Sequence, residues 1–146
     1  MHTNVNILMY IRRNPELTRE SFYEYWAGVH GPLCVPWAEA CGIQGYRQMH
    51  VSGEINGKEF DGIAAFEAES LDKFHEAFQH HYYKEVIDLD EFNLIDKKSA
   101  DGGITAVYSG KTVVNISSGE STLGDEDAEY RLQWEEHHKR IGKLLI

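Results

Sequence analysis

Three histidines and one aspartate are the side chains of this 146-residue chain that best suit proton-transfer chemistry. His30 lies one helical turn after Trp26 in the stretch YWAGVHGPL, where Gly31-Pro32 should end a helix. An imidazole titrates near physiological pH, so His30 is a candidate general base or acid. The spacing leaves open a second interpretation, in which His30 only caps helix carbonyls.

The other three candidates are His75, His50 and Asp61. His75 interrupts the apolar stripe of a predicted helix, so we expect it to point between helix and sheet; the alternative is a hydrogen-bonded core histidine. His50 shares a strand face with Tyr46, and that face meets either the helices or a partner subunit. Asp61 begins the next strand, where it either forms a turn or orients the imidazole of His30 or His75.

Other active-site patterns are missing from the sequence. It contains no HxxxH, HExxH, GxSxG, GxGxxG or Walker loop. The pairs His80-His81 and His137-His138 are adjacent and face apart on a helix, so they do not make metal sites. We therefore predict no metal site and no nucleotide-binding loop. Cys34 is a minor candidate nucleophile, because a cysteine in such a place is more often a small hydrophobe.

Periodicity predicts the elements that position these groups. Residues 4–12 are apolar on both faces, which indicates a strand covered on both sides. The stripe from Phe22 to Val29 predicts a helix over about 18–30, with Thr18 as its N-cap and Gly31-Pro32 as its end. Further elements are predicted at 33–42 (turn or short helix), 43–52 and 60–67 (strands), 71–92 (a helix capped by Ser70 that breaks near Asp88), 102–118 (strand) and the C-terminus (helix).

This order, β-α-β-β-α-β plus a helical extension, predicts an α+β ferredoxin-like fold. Its four-stranded antiparallel sheet would carry the helices on one face only. Because the first strand is apolar on both faces, the open face needs a cover, and we expect a homodimer through it. We expect a domain over residues 1–118 and a linker with a helix over residues 119–146.

Composition narrows the class of partner. Twenty-four acidic and fourteen basic residues give a formal net charge of −10, which disfavours nucleic acid and anionic membrane surfaces. The two cysteines suit a reducing compartment. No secretory signal is recognisable, and no apolar run approaches the ~20 residues that cross a bilayer. We expect a cytoplasmic protein that binds a small molecule.

Three segments together resemble the EthD domain, a branch of the dimeric α+β barrel superfamily. The first has the pattern F-x-x-Y-W-x-x-x-H-G-P-L from Phe22 to Leu33, the second is Asp61-Gly62, and the third is D-E-x-x-x-x-D from Asp90 to Asp96. The resemblance covers about residues 4–117. It implies a cofactor-free dimeric barrel in which the motif histidine, His30, is functional. Fungal members of the family act in polyketide pathways as decarboxylases, cyclases or dehydratases.

The resulting hypothesis is a lyase-type enzyme acting on an aromatic or polyketide-derived molecule. His30 would move a proton, and His75 or His50 would stabilise an enolate oxygen. Loss of CO₂, loss of water and aldol closure share this intermediate, so the choice among them stays open. The alternatives are a non-catalytic carrier and a cofactor-free oxygenase. Six aromatic residues are the predicted substrate contacts: Tyr25, Trp26, Tyr46, Phe78, Tyr82 and Phe92.

Overall fold

A computed structural model describes residues 3–144 of the chain, which divides into two compact units, residues 1–112 and 113–146. The first unit contains six strands, four α-helices and two π-helical turns, at Trp26–His30 and Tyr83–Ile87. In chain order its strands and α-helices are β1 (Val5–Ile11), α1 (Arg19–Tyr25), α2 (Gly31–Ala40), β2 (Gly45–Met49), β3 (Gly53–Ile55), β4 (Lys58–Phe60), β5 (Gly62–Ala68), α3 (Leu71–Ala77), α4 (Asp88–Leu94) and β6 (Ile104–Gly110).

The main sheet has the strand order β2-β5-β1-β6, and every pairing in it is antiparallel. This is the order of a ferredoxin-like sheet, so the predicted fold class is confirmed. The short hairpin β3-β4 is inserted between β2 and β5. It turns at Asn56 and Gly57, which both have positive φ angles (53° and 77°), as the Asn-Gly signal predicts.

The core lies between the sheet and its helices. On β1 the side chains of Ile7 and Ile11 are buried, and α1 with the first π turn adds Phe22 and Trp26. A Cβ on Gly62 would lie 2.6 Å from the Trp26 ring, so glycine there allows the indole to lie against β5. Full burial of each large apolar side chain contributes about 1.5–3 kcal/mol.

The first helix does not end at Gly31-Pro32, which corrects the sequence prediction. Thr18 caps α1 as expected, accepting from the Ser21 N–H, but the chain then passes through a π turn directly into α2. The Gly31 N–H donates to the Trp26 carbonyl, which also accepts from Gln48 Nε2 at 3.0 Å. Pro32 is tolerated because it lies in the first turn of α2, where a missing N–H costs little.

The second long helix also differs from its prediction. Ser70 caps α3, accepting from the Lys73 N–H, but α3 ends at Ala77 rather than near Asp88. The Ala77 carbonyl accepts from the Trp37 indole N–H at 2.8 Å and from the His80 N–H in a tighter turn, so the α-helical ladder stops there. Helical structure resumes before the second π turn and continues through α4 without a break at Asp88.

The second unit consists of a two-stranded hairpin, a 3₁₀ turn at Asp125–Asp127 and a long helix. The strands are β7 (Ile116–Ser117) and β8 (Glu120–Ser121), and the helix is α5 (Ala128–Leu144). The predicted C-terminal helix is therefore present. The predicted end of the first domain at residue 118 stays a prediction.

None of the helices in residues 3–144 combines the length and the apolar character needed to cross a bilayer.

Candidate active site

His30 is a buried histidine at the end of the first π turn, with only 5% of its surface exposed. Its Nδ1 lies 2.8 Å from Oδ2 of Asp90, which is in the first turn of α4. The imidazole makes no helix-capping hydrogen bond, so the capping interpretation is wrong. Its other ring nitrogen, Nε2, has no hydrogen-bond partner within residues 3–144.

The carboxylate of Asp90 is held by three donors. Besides His30, the Tyr25 hydroxyl donates to Oδ1 at 2.5 Å and Asn93 Nδ2 donates at 3.2 Å. Burial raises the pKa of Asp90, but the hydrogen bonds from Tyr25, His30 and Asn93 outweigh it, so the net pKa is lowered. An ionised Asp90 favours the tautomer of His30 that carries its proton on Nδ1, which leaves Nε2 as an acceptor.

His30 lines a cavity of about 60 Å³ between the sheet and the helices. Most of the wall is apolar or aromatic, with Ile11, Trp37 and Phe66 among its members. The polar residues of the wall are His30, Cys34, Tyr46, Tyr83 and Glu91. Both π turns contribute to it, the first through Trp26 and His30 and the second through Tyr83 and Ile87. Isolated π turns frequently occur at functional sites, because they change the direction of side chains within a helix.

A second hydrogen-bonded group forms part of the cavity wall. The Tyr83 hydroxyl donates to Oε2 of Glu91 at 2.8 Å, and Lys97 Nζ donates to Oε1 of Glu91 at 2.6 Å and to Asp88 at 2.7 Å. Burial, and then the charge of Glu91, raise the pKa of Tyr83. Its phenol therefore stays protonated, with its hydrogen committed to Glu91.

The other two polar groups of the wall are also protonated. Burial raises the pKa of the Cys34 thiol to about 12, with smaller contributions from Glu91 and Asp90, so Cys34 does not supply a thiolate at neutral pH. Burial also raises the pKa of Tyr46, whose hydroxyl oxygen accepts from the Trp26 indole N–H at 3.1 Å.

Three of the six predicted substrate contacts lie on the cavity wall: Trp26, Tyr46 and Phe78. The other three do not. Tyr25 lies behind Asp90 as its hydrogen-bond donor, and the Tyr82 hydroxyl is 3.5 Å from the Leu33 carbonyl. Phe92 is half-exposed, with Lys97 Nζ 5.9 Å from the centre of its ring.

Neither of the other two candidate histidines lines the cavity. His75 is exposed, so the expectation that it lies between helix and sheet is wrong. The expectation assumed one apolar helix face that runs on through Phe78. The helix α3 ends at Ala77, and the side chains that it buries are Phe74 and Ala77. His50 is exposed as well; its ring stacks on Tyr23, with 4.5 Å between the ring centroids.

The contacts of His50 answer the question about the faces of β2. Its ring also stacks on Trp26 at 5.5 Å, and its Nε2 is hydrogen-bonded to Gln48 at 2.9 Å. Tyr46 and Gln48 both contact Trp26 as well. The face that carries Tyr46, Gln48 and His50 therefore meets the helices.

Asp61 is buried, as one alternative required, but it does not orient an imidazole. Its carboxylate accepts from the Arg13 N–H at 2.9 Å and from Arg19 Nε at 3.2 Å, and its carbonyl accepts from the Tyr23 hydroxyl at 2.7 Å. The idea that Asp61 holds His30 or His75 is wrong, because two arginines take up the carboxylate. Asp90 has that position instead.

The sequence interpretation missed roles for Asp90, Glu91 and Tyr83. Asp90 and Glu91 belong to the D-E-x-x-x-x-D element, but the sequence does not show which residues they contact. Tyr83 had no signal of its own, since only the π turn brings it to the cavity. Within residues 3–144 no cluster of three or more His, Cys, Asp or Glu residues could hold a metal ion.

Comparison with known proteins gives a family and a fold. The family model of the EthD domain matches residues 14–98, which is more than half of the chain. No curated protein matches the sequence.

Two solved structures are similar in fold. An EthD-like protein of Ralstonia eutropha JMP134 has 17% identity and a TM-score of 0.52, covering 80% of this chain and 98% of its own. An EthD family protein of Bacillus halodurans C-125 has 16% identity and a TM-score of 0.50. The match covers 76% of this chain and 99% of the Bacillus chain. At these identities the likeness concerns the fold alone. Because the family model matches more than half of the chain, this chain belongs to the EthD domain family.

Proposed function

We propose that this chain is a cofactor-independent enzyme in which His30 transfers a proton to or from a small aromatic or polyketide-derived molecule. The observation that carries the proposal is the His30–Asp90 pair at the wall of an apolar cavity. A buried imidazole oriented by a carboxylate, with its second nitrogen free, is the arrangement that general base catalysis requires. The reaction class is a lyase-type step through an enol or enolate.

The proposed step begins at a carbon next to a substrate carbonyl. Nε2 of His30 takes the proton, the C–H electrons move to the carbonyl oxygen, and Asp90 stabilises the imidazolium. Tyr46 is the proposed second polar group, because its hydroxyl is protonated and lies on the same cavity wall as His30. Tyr46 thus replaces His75 and His50 in that role. The imidazolium then returns the proton to a carbon or to a departing hydroxyl.

The size of the cavity sets a condition on binding. Its volume of about 60 Å³ is smaller than the roughly 150 Å³ of a cavity that holds benzene. An aromatic substrate therefore requires side chains of the wall to move. Tyr46 also borders an open groove of about 470 Å³ formed with Gly31, Pro32, Val35, Pro36 and Gln48. Tyr46 is thus a residue that the cavity and the groove share.

The experiment that tests this function follows proton transfer directly. Deuterium uptake from D₂O next to the carbonyl of phenylacetone, measured by NMR, should be accelerated by the wild-type protein. His30→Ala should lower the rate by about 10² or more, the typical contribution of a general base. His75→Ala is the matched control, because His75 is exposed on α3, and it should leave the rate unchanged.

Two results would speak against the proposal. A folded His30→Ala variant that exchanges deuterium as fast as the wild type removes His30 from the chemistry. Saturable binding of phenylacetone that survives His30→Ala, without any exchange, favours the carrier function instead.

The homodimer is a further part of the proposal. The face of the sheet opposite the helices carries a groove lined in part by Leu8, Ala65 and Tyr108, and Met49 and Tyr108 are each 47% exposed there. A second copy covering this face would bury these side chains. Multi-angle light scattering should then give twice the 16.7 kDa mass of the chain, and a monomer at micromolar concentration would contradict the expectation.

A further inference from the structure

We infer that the cavity beside His30 accepts a neutral aromatic ligand and rejects a carboxylate of the same shape; this inference rests on the proposed function and narrows its substrate class. The polar groups of the wall are an imidazole, a thiol, two phenols and the carboxylate of Glu91. Among the described residues that line the cavity there is no lysine or arginine. The wall therefore offers hydrogen bonds but no fixed positive charge.

The charges on and just behind the wall are mostly negative. Asp90 lies against His30, and Asp88 and Glu91 lie against Lys97. Three carboxylates and one ammonium leave a formal charge of −2 around the cavity while His30 is neutral, and −1 when it is protonated. Lys97 is already bound to two carboxylates, at 2.6 and 2.7 Å, so it is not available to a third.

A carboxylate entering this space would lose its hydration without gaining a cation, which is strongly unfavourable in a low-dielectric site. The single candidate counter-charge, an imidazolium at His30, is already paired with Asp90. A neutral carbonyl or phenol needs only hydrogen bonds, which Tyr46 and His30 can supply. Proton transfer from a neutral ligand to His30 moves charge within the cavity without adding any.

The Cys34 thiol lies on the same wall and is subject to the same burial and the same charges. Its pKa is raised to about 12 by burial and then by the charges of Glu91 and Asp90. Forming one more anion in this place is thus opposed by both desolvation and charge. Among the lyase-type steps, the electrostatics favour dehydration or aldol closure of a neutral ketone over decarboxylation of a carboxylate.

The test compares benzamide with benzoate, which have nearly the same shape and differ in charge at pH 7. Calorimetry measures both dissociation constants on the full chain, and NMR of the His30 ring confirms that binding occurs at the cavity. Wild-type protein should bind benzamide at least tenfold more tightly than benzoate. Glu91→Gln removes the wall carboxylate and should shrink that ratio severalfold.

Glu85→Gln is the matched control, because Glu85 is exposed on the second π turn and its replacement changes the net charge equally. Its benzamide-to-benzoate ratio should remain that of the wild type. Benzoate binding as tight as benzamide in the wild type, or equal ratios in the two variants, would overturn the inference while leaving proton transfer by His30 intact. If neither compound perturbs the His30 ring, the binding site required by the proposed function fails, and the inference fails with it.

Discussion

Asp61 and Asp90 are two carboxylates of the same unit that hold different kinds of partner. Asp61 binds Arg13 and Arg19, whereas Asp90 binds His30 and Tyr25. A guanidinium stays charged over the whole physiological range, so the Asp61 cluster is a permanent tie between β5, the segment after β1 and α1. An imidazole can take up and release a proton, so Asp90 can support a proton transfer. The partner, rather than the carboxylate itself, therefore decides whether the pair has a structural role or a role in proton transfer.

The largest expected difference between Asp90 and Asp61 concerns the rate of proton transfer. Asp90→Asn replaces an acceptor by an amide that can donate to Nδ1, which favours the tautomer with the proton on Nε2 and takes the base away from the substrate. We expect deuterium exchange of phenylacetone to fall about 10²-fold, with a small effect on the free energy of unfolding. Equal exchange rates in Asp90→Asn and wild type would show that Asp90 does not position His30.

The next difference concerns stability. Asp61→Asn leaves two arginines without their carboxylate, and the loss of charged hydrogen bonds should lower the free energy of unfolding by about 2 kcal/mol. Exchange per folded molecule should stay near the wild-type rate. Urea unfolding measures the free energy of unfolding. A selective loss of exchange in Asp61→Asn, without a change in stability, would reverse the assignment of the two carboxylates.

The smallest expected effect is the response of Asp90→Asn to acid. The pKa of Asp90 is lowered in the folded protein, so its contribution to stability is complete above its unfolded pKa, near 4, and is lost as pH falls below that value. The free energy of unfolding should therefore drop slightly less between pH 6 and pH 3 in Asp90→Asn than in the wild type. A steeper drop in the variant would contradict a lowered pKa.

The sequence predicted what local chemistry determines. The first strand followed from a run that is apolar on both faces. Thr18 and Ser70 cap their helices because a cap depends only on the next three residues. His30 was identified from its place beside Trp26 and from the resemblance. Its partner was not, because Asp90 lies sixty positions further along the chain and no local pattern joins them.

The misplaced residues have different physical causes. A π turn differs from an α turn by a single residue, and no residue type announces it. The prediction therefore ended the first helix too early, at Gly31-Pro32. It extended the second too far for another reason, because no local pattern marks the tight turn at the Ala77 carbonyl. His75 was assigned to the core by that extended stripe. Asp61 was misassigned because burial could be expected from its place, whereas its arginine partners could not.

The two π turns also have a consequence for how such a protein could change during evolution. Each turn accommodates one residue more than an α-helix of the same rise, and each carries residues that face the cavity. The deletion of a single codon within either turn would restore α-helical winding and leave the residues on both sides of the turn in place, because the π turn holds only one residue in excess. The strand pairings, which lie elsewhere in the chain, would keep their register. A single-codon insertion or deletion at such a turn would therefore change which residues of the turn face the cavity, while the helices beyond it and the sheet stay the same.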